Sequence, residues 1–445
     1  MRENRHDQFP LQPTGIDHPH AKELEAISLI LDSRPIIADL ALQDLVPEGV
    51  DASRGAPGLT GDQVVRGAII KQMNQFSYDE LAFHLLDSVT YRRFCRLGIA
   101  DSSPAASTWQ QNIKRLTPAT WETINRELVG YARDEGIERG DKLRTDCTVT
   151  ETNIHQPDDA AQLWDTVRVL TRLMGQAQEA GFDVQFSRRT RRATRRCMGV
   201  LNAKKKGARR RAYRDLIRVT EEVLGFATAA IDALPLNDPI ACAFAAELGH
   251  FVALGRRVVD QTWRRVFQGE KVPAKDKVVS IFEPHTDIII KDRRDVLYGH
   301  KLCLTAGASS LVIDLVIEDG NPADSTLVER TVDRVIDIYG KAPRQIALDG
   351  GFTSKANLQA AKERGVKDVC FTKGRGLAVT DMVKSSWVYK RLRRFRAGVE
   401  GVISFLKRGF GLGRCTWRGE QGFRSYAWAS VVACNLLILA RNLLE

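Results

Sequence analysis

The sequence predicts an α/β fold: a strand–helix core, interrupted by a helical insertion and preceded by an all-helical N-terminal region. Three observations predict it. Apolar spacing is helical from Ala21 to about Glu138, as in VVRGAIIKQM and YDELAFHLL. Beyond His300, strand-length apolar runs alternate with helix-length amphipathic ones. Between them, residues 158 to about 270 return to helical spacing and carry two dense basic runs, RRTRRATRR and KKKGARRR. A chain of 445 residues is too long for one simple core. We therefore divide it into a helical DNA-binding or accessory domain (1–138), a core (139–157 with 276–445) and a basic helical insertion (158–275).

Composition narrows the class. A 43% hydrophobic and 27% charged chain lies in the globular range, which excludes a mostly disordered one. The net charge of +11 and pI near 9.3 suit a polyanionic partner, because each phosphate neutralised by Lys or Arg releases counterions. Ribosome-associated and membrane-surface proteins are as basic. The eight cysteines are scattered with no CxxC pair, so neither a zinc cluster nor a disulfide framework is indicated. They read as small core side chains in a reducing compartment. The start, MRENRHDQFPLQP, lacks the apolar stretch of a secretory signal. VVACNLLILA, about half a membrane span and interrupted by Asn435, reads as a buried helix. These features predict a soluble cytoplasmic protein with no membrane partner.

Taken in order, residues 1–20 are polar and loose. Ser77 with Glu80 forms a capping box before a helix. SSPAASTWQQNIKRL is a short helix entered through Pro104. This region is either a helix-turn-helix-like DNA reader or a plain helical bundle. LRTDCTVTETNI is a strand with Leu143, Thr145, Cys147 and Val149 on one face, Arg144, Asp146 and Thr148 on the other. HKLCLTAGA and LVIDLVIEDG form a strand pair around a turn at Ser309 and Ser310. Thr326 and Glu329 cap a helix that ends at Gly340. RQIALDGGF is a buried strand stopping at Asp349; helix ANLQAAKERG, strand DVCFT and two final helices follow. Without the basic insertion, this is the order of a ribonuclease-H-like domain.

Three acids stand out. Cutting or transferring a phosphodiester needs an activated oxygen nucleophile and stabilisation of a highly charged intermediate. Two Mg2+ ions about 3.5–4 Å apart supply both, with Mn2+ able to substitute. Mg2+ takes hard oxygen ligands and keeps several waters, so a few isolated carboxylates at strand ends suffice. Asp146 lies mid-strand, and Asp349 ends a strand before two glycines, where ligands gather in α/β sheets. Either alone reads as a turn or capping acid. Glu400 lies in RLRRFRAGVEGVISFLKRGF, where Arg393, Arg396 and Lys407 fall within about 40° of it on a helical wheel. Phe395, Val399, Ile403, Leu406 and Phe410 fill a neighbouring arc. One acid among three bases is either a solvated face or a metal ligand flanked by phosphate contacts.

These residues resemble the DDE-type transposases of bacterial insertion sequences. The resemblance runs from the Tyr91-Arg92-Arg93-Phe94 region to the end. LRTDCTVTETNI is similar to the strand carrying that family's first acid, and LDGGF to the motif of its second. Arg396, Glu400 and Lys407 match the spacing of its Tyr-Arg-Glu-Lys signature, with Arg393 where the tyrosine is expected. GNPADS, carrying Asp324, and the tail GLGRCTWRGEQGFRSYAWASVVACNLL also look like family features. The resemblance implies metal-dependent cleavage at transposon ends and 3′-hydroxyl strand transfer by an Asp146-Asp349-Glu400 triad, with two Mg2+ ions per site. It implies double-stranded DNA as partner, a homodimer or higher oligomer on it, and a bacterial cytoplasmic, nucleoid-associated location. A DNA-binding descendant that no longer cuts, and a nuclease without strand transfer, are the rival readings.

Among weaker signals, Asn153, His155, Asp158 and Asp159 either extend a metal site or are turn residues. The twelve bases between Arg188 and Arg211 exceed what solubility requires. Arg191, Arg192, Arg195, Arg196, Lys204, Lys205 and Lys206 are therefore assigned to DNA phosphates, against the alternative of a solvated face. His250, His285 and His300 share no metal-ligand spacing, and Gly374-x-Gly376 lacks a phosphate-loop lysine.

Overall fold

Hydroxyl and carboxylate caps start many of the helices, by accepting first-turn N–H groups that have no intrahelical partner. The computed structural model describes residues 3–4, 16–47, 49–51, 54, 58–98, 101–291 and 295–445. The reading of residues 1–20 as loose lies largely outside the described residues. Before the first strand come α1 (Pro19–Ser33), α2 (Ile36–Leu45), α3 (Gly61–Asn74), α4 (Tyr78–Asp87), α5 (Val89–Phe94), α6 (Ala106–Ile113) and α7 (Pro118–Asp134). Capping boxes start α3 (Thr60 with Gln63) and α4 (Ser77 with Glu80). After β1 (Lys142–Glu151) come α8 (Asp159–Glu179), α9 (Thr190–Leu201), α10 (Lys206–Ala233) and α11 (Pro239–Trp263). Then follow β2 (Asp287–Lys291), β3 (Asp295–Ala306), β4 (Val312–Ile317), α12 (Val328–Tyr339), β5 (Gln345–Leu348) and α13 (Lys355–Glu363). The chain continues through β6 (Asp368–Phe371), α14 (Val379–Met382), α15 (Ser386–Gly409) and α16 (Glu420–Leu444). The mixed α/β class is as the sequence predicts.

Packing divides the chain into two units, Met1–Glu151 with His300–Glu445, and Thr152–Gly299. In the first, the strand order is β3-β1-β5-β6, with β4 antiparallel on β3 and with β1, β5 and β6 parallel. One apolar cluster joins the sheet to the helices that precede it. α16, long and apolar enough to cross a membrane by length and composition, is instead packed against α1, α3 and α7. In the second unit, α8, α9, α10 and α11 share their own apolar cluster, and β2 pairs with the first residues of β3.

Three local expectations change. β1 is buried on both faces, with Arg144, Thr148 and Thr150 as covered as Leu143, because it runs between two other strands beneath a helix. β3 starts at Asp295, before the expected His300, and pairs with β2, which was not anticipated: three consecutive isoleucines carry neither strand alternation nor helical spacing. Thr326 does not cap α12; its hydroxyl donates to the Ala323 carbonyl in a preceding 3-10 turn. Gly340 does end α12, at φ +69°.

The apolar run of α16 contains Asn435 because β4 needs it. The Asn435 amide accepts from Val312 N–H at 2.9 Å and donates to the Val312 carbonyl at 2.8 Å, acting as a strand partner on the edge of the sheet. It also donates to Asn125 Oδ1 at 2.8 Å, and Asn125 donates to the Ile313 carbonyl at 3.2 Å. Asn435 and Asn125 are fully buried. Asn435→Leu keeps the volume but orphans Val312 and Asn125, and is expected to cost about 1–3 kcal/mol in urea unfolding. Unchanged stability would show that water replaces the amide.

Candidate active site

The parallel register of β1 and β5 brings the two aspartates together. Thr145 pairs with Leu348, so the next step sets Asp146 beside Asp349, at the C-terminal end of β5. Asp146 Oδ1 accepts from the Cys147 N–H at 2.8 Å, and Asp349 Oδ1 accepts from Thr372 Oγ1, just beyond β6, at 2.9 Å. Burial pushes the Asp146 carboxyl up to about 6. Arg396 and the Cys147 N–H oppose that, while Asp349 and Asp324 add to it. Burial also acts to raise the Asp349 carboxyl. The Gly350 N–H, the Thr372 hydroxyl, Arg396 and Lys373 together outweigh it and hold the group below its ordinary range.

α15 brings the third acid. Its apolar stripe, Val388, Leu392, Val399, Val402 and Leu406, is buried, and the helix packs on β1, β5 and β6. Arg144 reaches up from β1, donating to the Phe395 carbonyl at 3.2 Å and lying 4.8 Å over the Phe395 ring. A Cβ on Gly398 would stand 2.0 Å from Arg144 Nη1, so glycine there leaves room for the guanidinium between helix and strand. Two residues further on is Glu400.

The three predicted acids meet on one cation. Arg396 donates from Nη2 to Asp146 Oδ2 at 2.6 Å and from Nη1 to Glu400 Oε1 at 2.7 Å. Nη2 also lies 3.6 Å from Asp349 Oδ1. The Arg396 side chain is 12% exposed, and those of Asp146, Asp349 and Glu400 are 15%, 43% and 67% exposed, so the cluster opens outward on the Glu400 side. Among the described residues, no three acids, histidines or cysteines stand close enough to hold a metal as placed. Here Asp146 and Asp349 face the same guanidinium nitrogen, Nη2, and Glu400 faces the other, Nη1. Their donor set is all hard oxygen, which fits Mg2+ or Mn2+, and a cation already sits among them.

A fourth acid escaped the sequence reading as a site residue. A Cβ on Gly351 would stand 2.5 Å from Asp324 Oδ2, so the second glycine of LDGGF makes room for the Asp324 carboxylate. Lys301 Nζ pairs with Asp324 at 2.5 Å. The only sequence signal was the GNPADS resemblance, which gives no distance.

Other candidates fall elsewhere. Of the three bases expected around Glu400, Arg396 alone is paired with it; Arg393 is exposed and only opposes the burial that pushes the Cys370 thiol up, and Lys407 lines a cavity at the C-terminal end of α15. Arg191, Arg192, Arg195, Arg196, Lys204, Lys205 and Lys206 are all exposed, and Arg196 pairs with Asp215 at 3.4 Å. The group after β1 serves structure: Asp158 caps α8, Asp159 binds Gln261 and Arg265, and His155 meets Asp165 at 3.1 Å.

Residues 285–436 match a family model described as a transposase DDE domain, and residues 15–115 one described as a transposase domain (DUF772). No curated protein and no solved structure matches the chain. Asp349 and Glu400 lie within the first match; Asp146 lies outside both.

The raised Asp146 carboxyl has a measurable consequence. The folded chain holds that proton more tightly than the unfolded one, so the contribution is fully present below about pH 4 and is lost as pH rises to about 6. The loss is on the order of 2–3 kcal/mol. Urea unfolding in metal-free buffer is expected to show this fall for the wild type, with a flatter profile for Asp146→Asn. Parallel profiles would contradict it.

Proposed function

Taking as premise that the chain is a DDE-type transposase of the insertion-sequence kind, as its two family matches indicate, we propose how it acts. It cleaves DNA at transposon ends and transfers the resulting 3′-hydroxyl to target DNA, with Asp146, Asp349 and Glu400 as its catalytic acids. The observation that carries this reading is the convergence of the three carboxylates on the Arg396 guanidinium. Carboxylates gathered from two strands and a helix are a costly arrangement unless a cation occupies it.

Asp146 and Asp349 deliver their oxygens from neighbouring strands, and Glu400 delivers its own from the outward side. These three residues would hold the divalent ions, Mg2+ or Mn2+, two to a site, and the ions would supply Lewis-acid activation of water or the 3′-hydroxyl and offset the charge gathering on the reacting phosphate. Arg396 neutralises the same oxygens in the metal-free chain, so guanidinium and metal compete for them. Asp324, close by Gly351, adds negative charge that helps to raise the Asp146 carboxyl.

The β4-β3-β1-β5-β6 order, with three parallel strands, supports a ribonuclease-H-like core spanning 139–157 and 276–445. Exposed arginines and lysines on α9 and at the start of α10 suit the backbone of double-stranded DNA, giving affinity with little sequence information. The helices of residues 1–138 are the DNA-binding or accessory part. The protein works as a homodimer or higher oligomer on DNA, in the bacterial cytoplasm.

Asp146→Asn, Asp349→Asn and Glu400→Gln keep shape and remove ligand charge. Each is expected to abolish Mg2+-dependent nicking of DNA carrying the element's ends, while gel-shift binding stays near wild type. Wild-type nicking by any one of them would remove that acid from the triad.

A further inference from the structure

At the C-terminal end of α15 lies a cavity of about 280 Å³. Lys71, Gln72 and Gln75 from the end of α3, Lys407 of α15, Arg414 and Thr416 of the following loop, and Tyr426 of α16 line it. Three of these side chains are basic and none is acidic.

Lys71 is the unusual one. It is 4% exposed, and its ammonium stands 4.7 Å over the Tyr78 ring. It makes no ion pair with a carboxylate among the described residues. Of the other covered bases, Arg66, Arg96 and Lys301 each meet an aspartate, and Arg92 and Arg144 donate to carbonyl or hydroxyl oxygens instead. Glu80, an acid near enough to act on Lys71, is committed to its helix cap, accepting from the Ser77 N–H at 2.7 Å. Burial lowers the ammonium to about 8, against the pull of Cys415 and Glu80, which leaves it charged at neutral pH. A largely buried ammonium without a carboxylate is costly unless water or a counter-ion meets it through the cavity.

The cavity walls are already fixed. Gln72 donates to Ser430 Oγ at 2.8 Å, and Tyr426 donates to the Gly411 carbonyl at 2.9 Å. Gly411 has φ +73°, and a Cβ there would stand 2.4 Å from the tyrosine oxygen, so this turn requires glycine. Gln75 Nε2 takes up the Arg408 carbonyl at 2.6 Å, removing one helix-terminal acceptor that would repel an anion.

We propose that this cavity is a phosphate-binding pocket, with Lys71, Lys407 and Arg414 as its cations, and that a DNA backbone phosphate fills it. The assignment to DNA rests on the transposase reading; the affinity for phosphate does not. Lys407 lies about 10 Å along α15 from Glu400, at 1.5 Å per residue. At about 3.4 Å per nucleotide on one strand, that is roughly three nucleotides from the phosphate at the acids. A phosphate gripped there sets the register of the strand and ties α3 to substrate binding.

The test uses the full chain and Lys71→Met, which keeps the buried stem and removes the charge, with Lys71→Arg as the conservative control. Inorganic phosphate, compared with sodium chloride at matched ionic strength, is expected to raise the melting temperature of the wild type and of Lys71→Arg but not of Lys71→Met. In titrations of duplex DNA against salt, Lys71→Met is expected to flatten the slope of log K by about 0.9, with Lys71→Arg restoring it. Arg414→Gln makes the same comparison should Lys71→Met fail to fold. A Lys71→Met chain that melts lower than wild type, keeps its phosphate response and keeps its salt slope would make Lys71 structural and overturn the pocket. Phosphate protection of the wild type with an unchanged DNA slope in Lys71→Met would overturn the assignment to DNA and leave a free anion as the occupant. A wild type that binds no DNA would sink the transposase reading, while the phosphate melts would still report on the pocket.

Discussion

The contact between the Arg396 guanidinium and three carboxylates is the interaction on which the rest of the site depends. Like charges gathered round one point disfavour one another's ionised form, so acids collected round one guanidinium need that cation among them. Arg396 is that cation, reaching Glu400 one turn away on its own helix and Asp146 on the central strand. Arg144 ties its helix to β1 through the Phe395 carbonyl, and Gly398 leaves room for the Arg144 guanidinium. Three features that look separate in sequence, a glycine in a helix, an arginine in a strand and an arginine before an acid, are one construction.

That construction was partly legible beforehand. Asp146 and Asp349 were visible because strand-length apolar runs place them on or at the end of a strand, and Glu400 because helical spacing separates its polar side from the buried stripe. The wheel also placed Arg393 and Lys407 near Glu400, yet angular proximity says nothing of reach: Arg393 acts on Cys370, and Lys407 turns to the cavity beyond. Asp324 was hidden because its carboxylate comes close only where Gly351 leaves room for it. No periodicity records such a contact.

The same limit applies away from the site. Asn435 was read as an interruption of an apolar run, which correctly made α16 a packed helix. What it interrupts the run for, pairing with the backbone of β4, depends on a strand far away in the sequence. His155, Asp158 and Asp159 had the composition of a metal site, and local capping and ion pairs absorb them instead. Nothing in the run VVRGAIIKQM marks Lys71 out. Its burial without a carboxylate emerges only when α3, α15 and α16 are assembled.

If the acids around Arg396 are a metal site, guanidinium and metal must compete for the same oxygens. Electron paramagnetic resonance titration of Mn2+ into the DNA-free protein tests this directly, comparing the wild type with Arg396→Gln and Asp349→Asn. The account predicts tighter Mn2+ binding by Arg396→Gln than by the wild type, and weaker binding by Asp349→Asn. Equal Mn2+ affinity in all three proteins would contradict it.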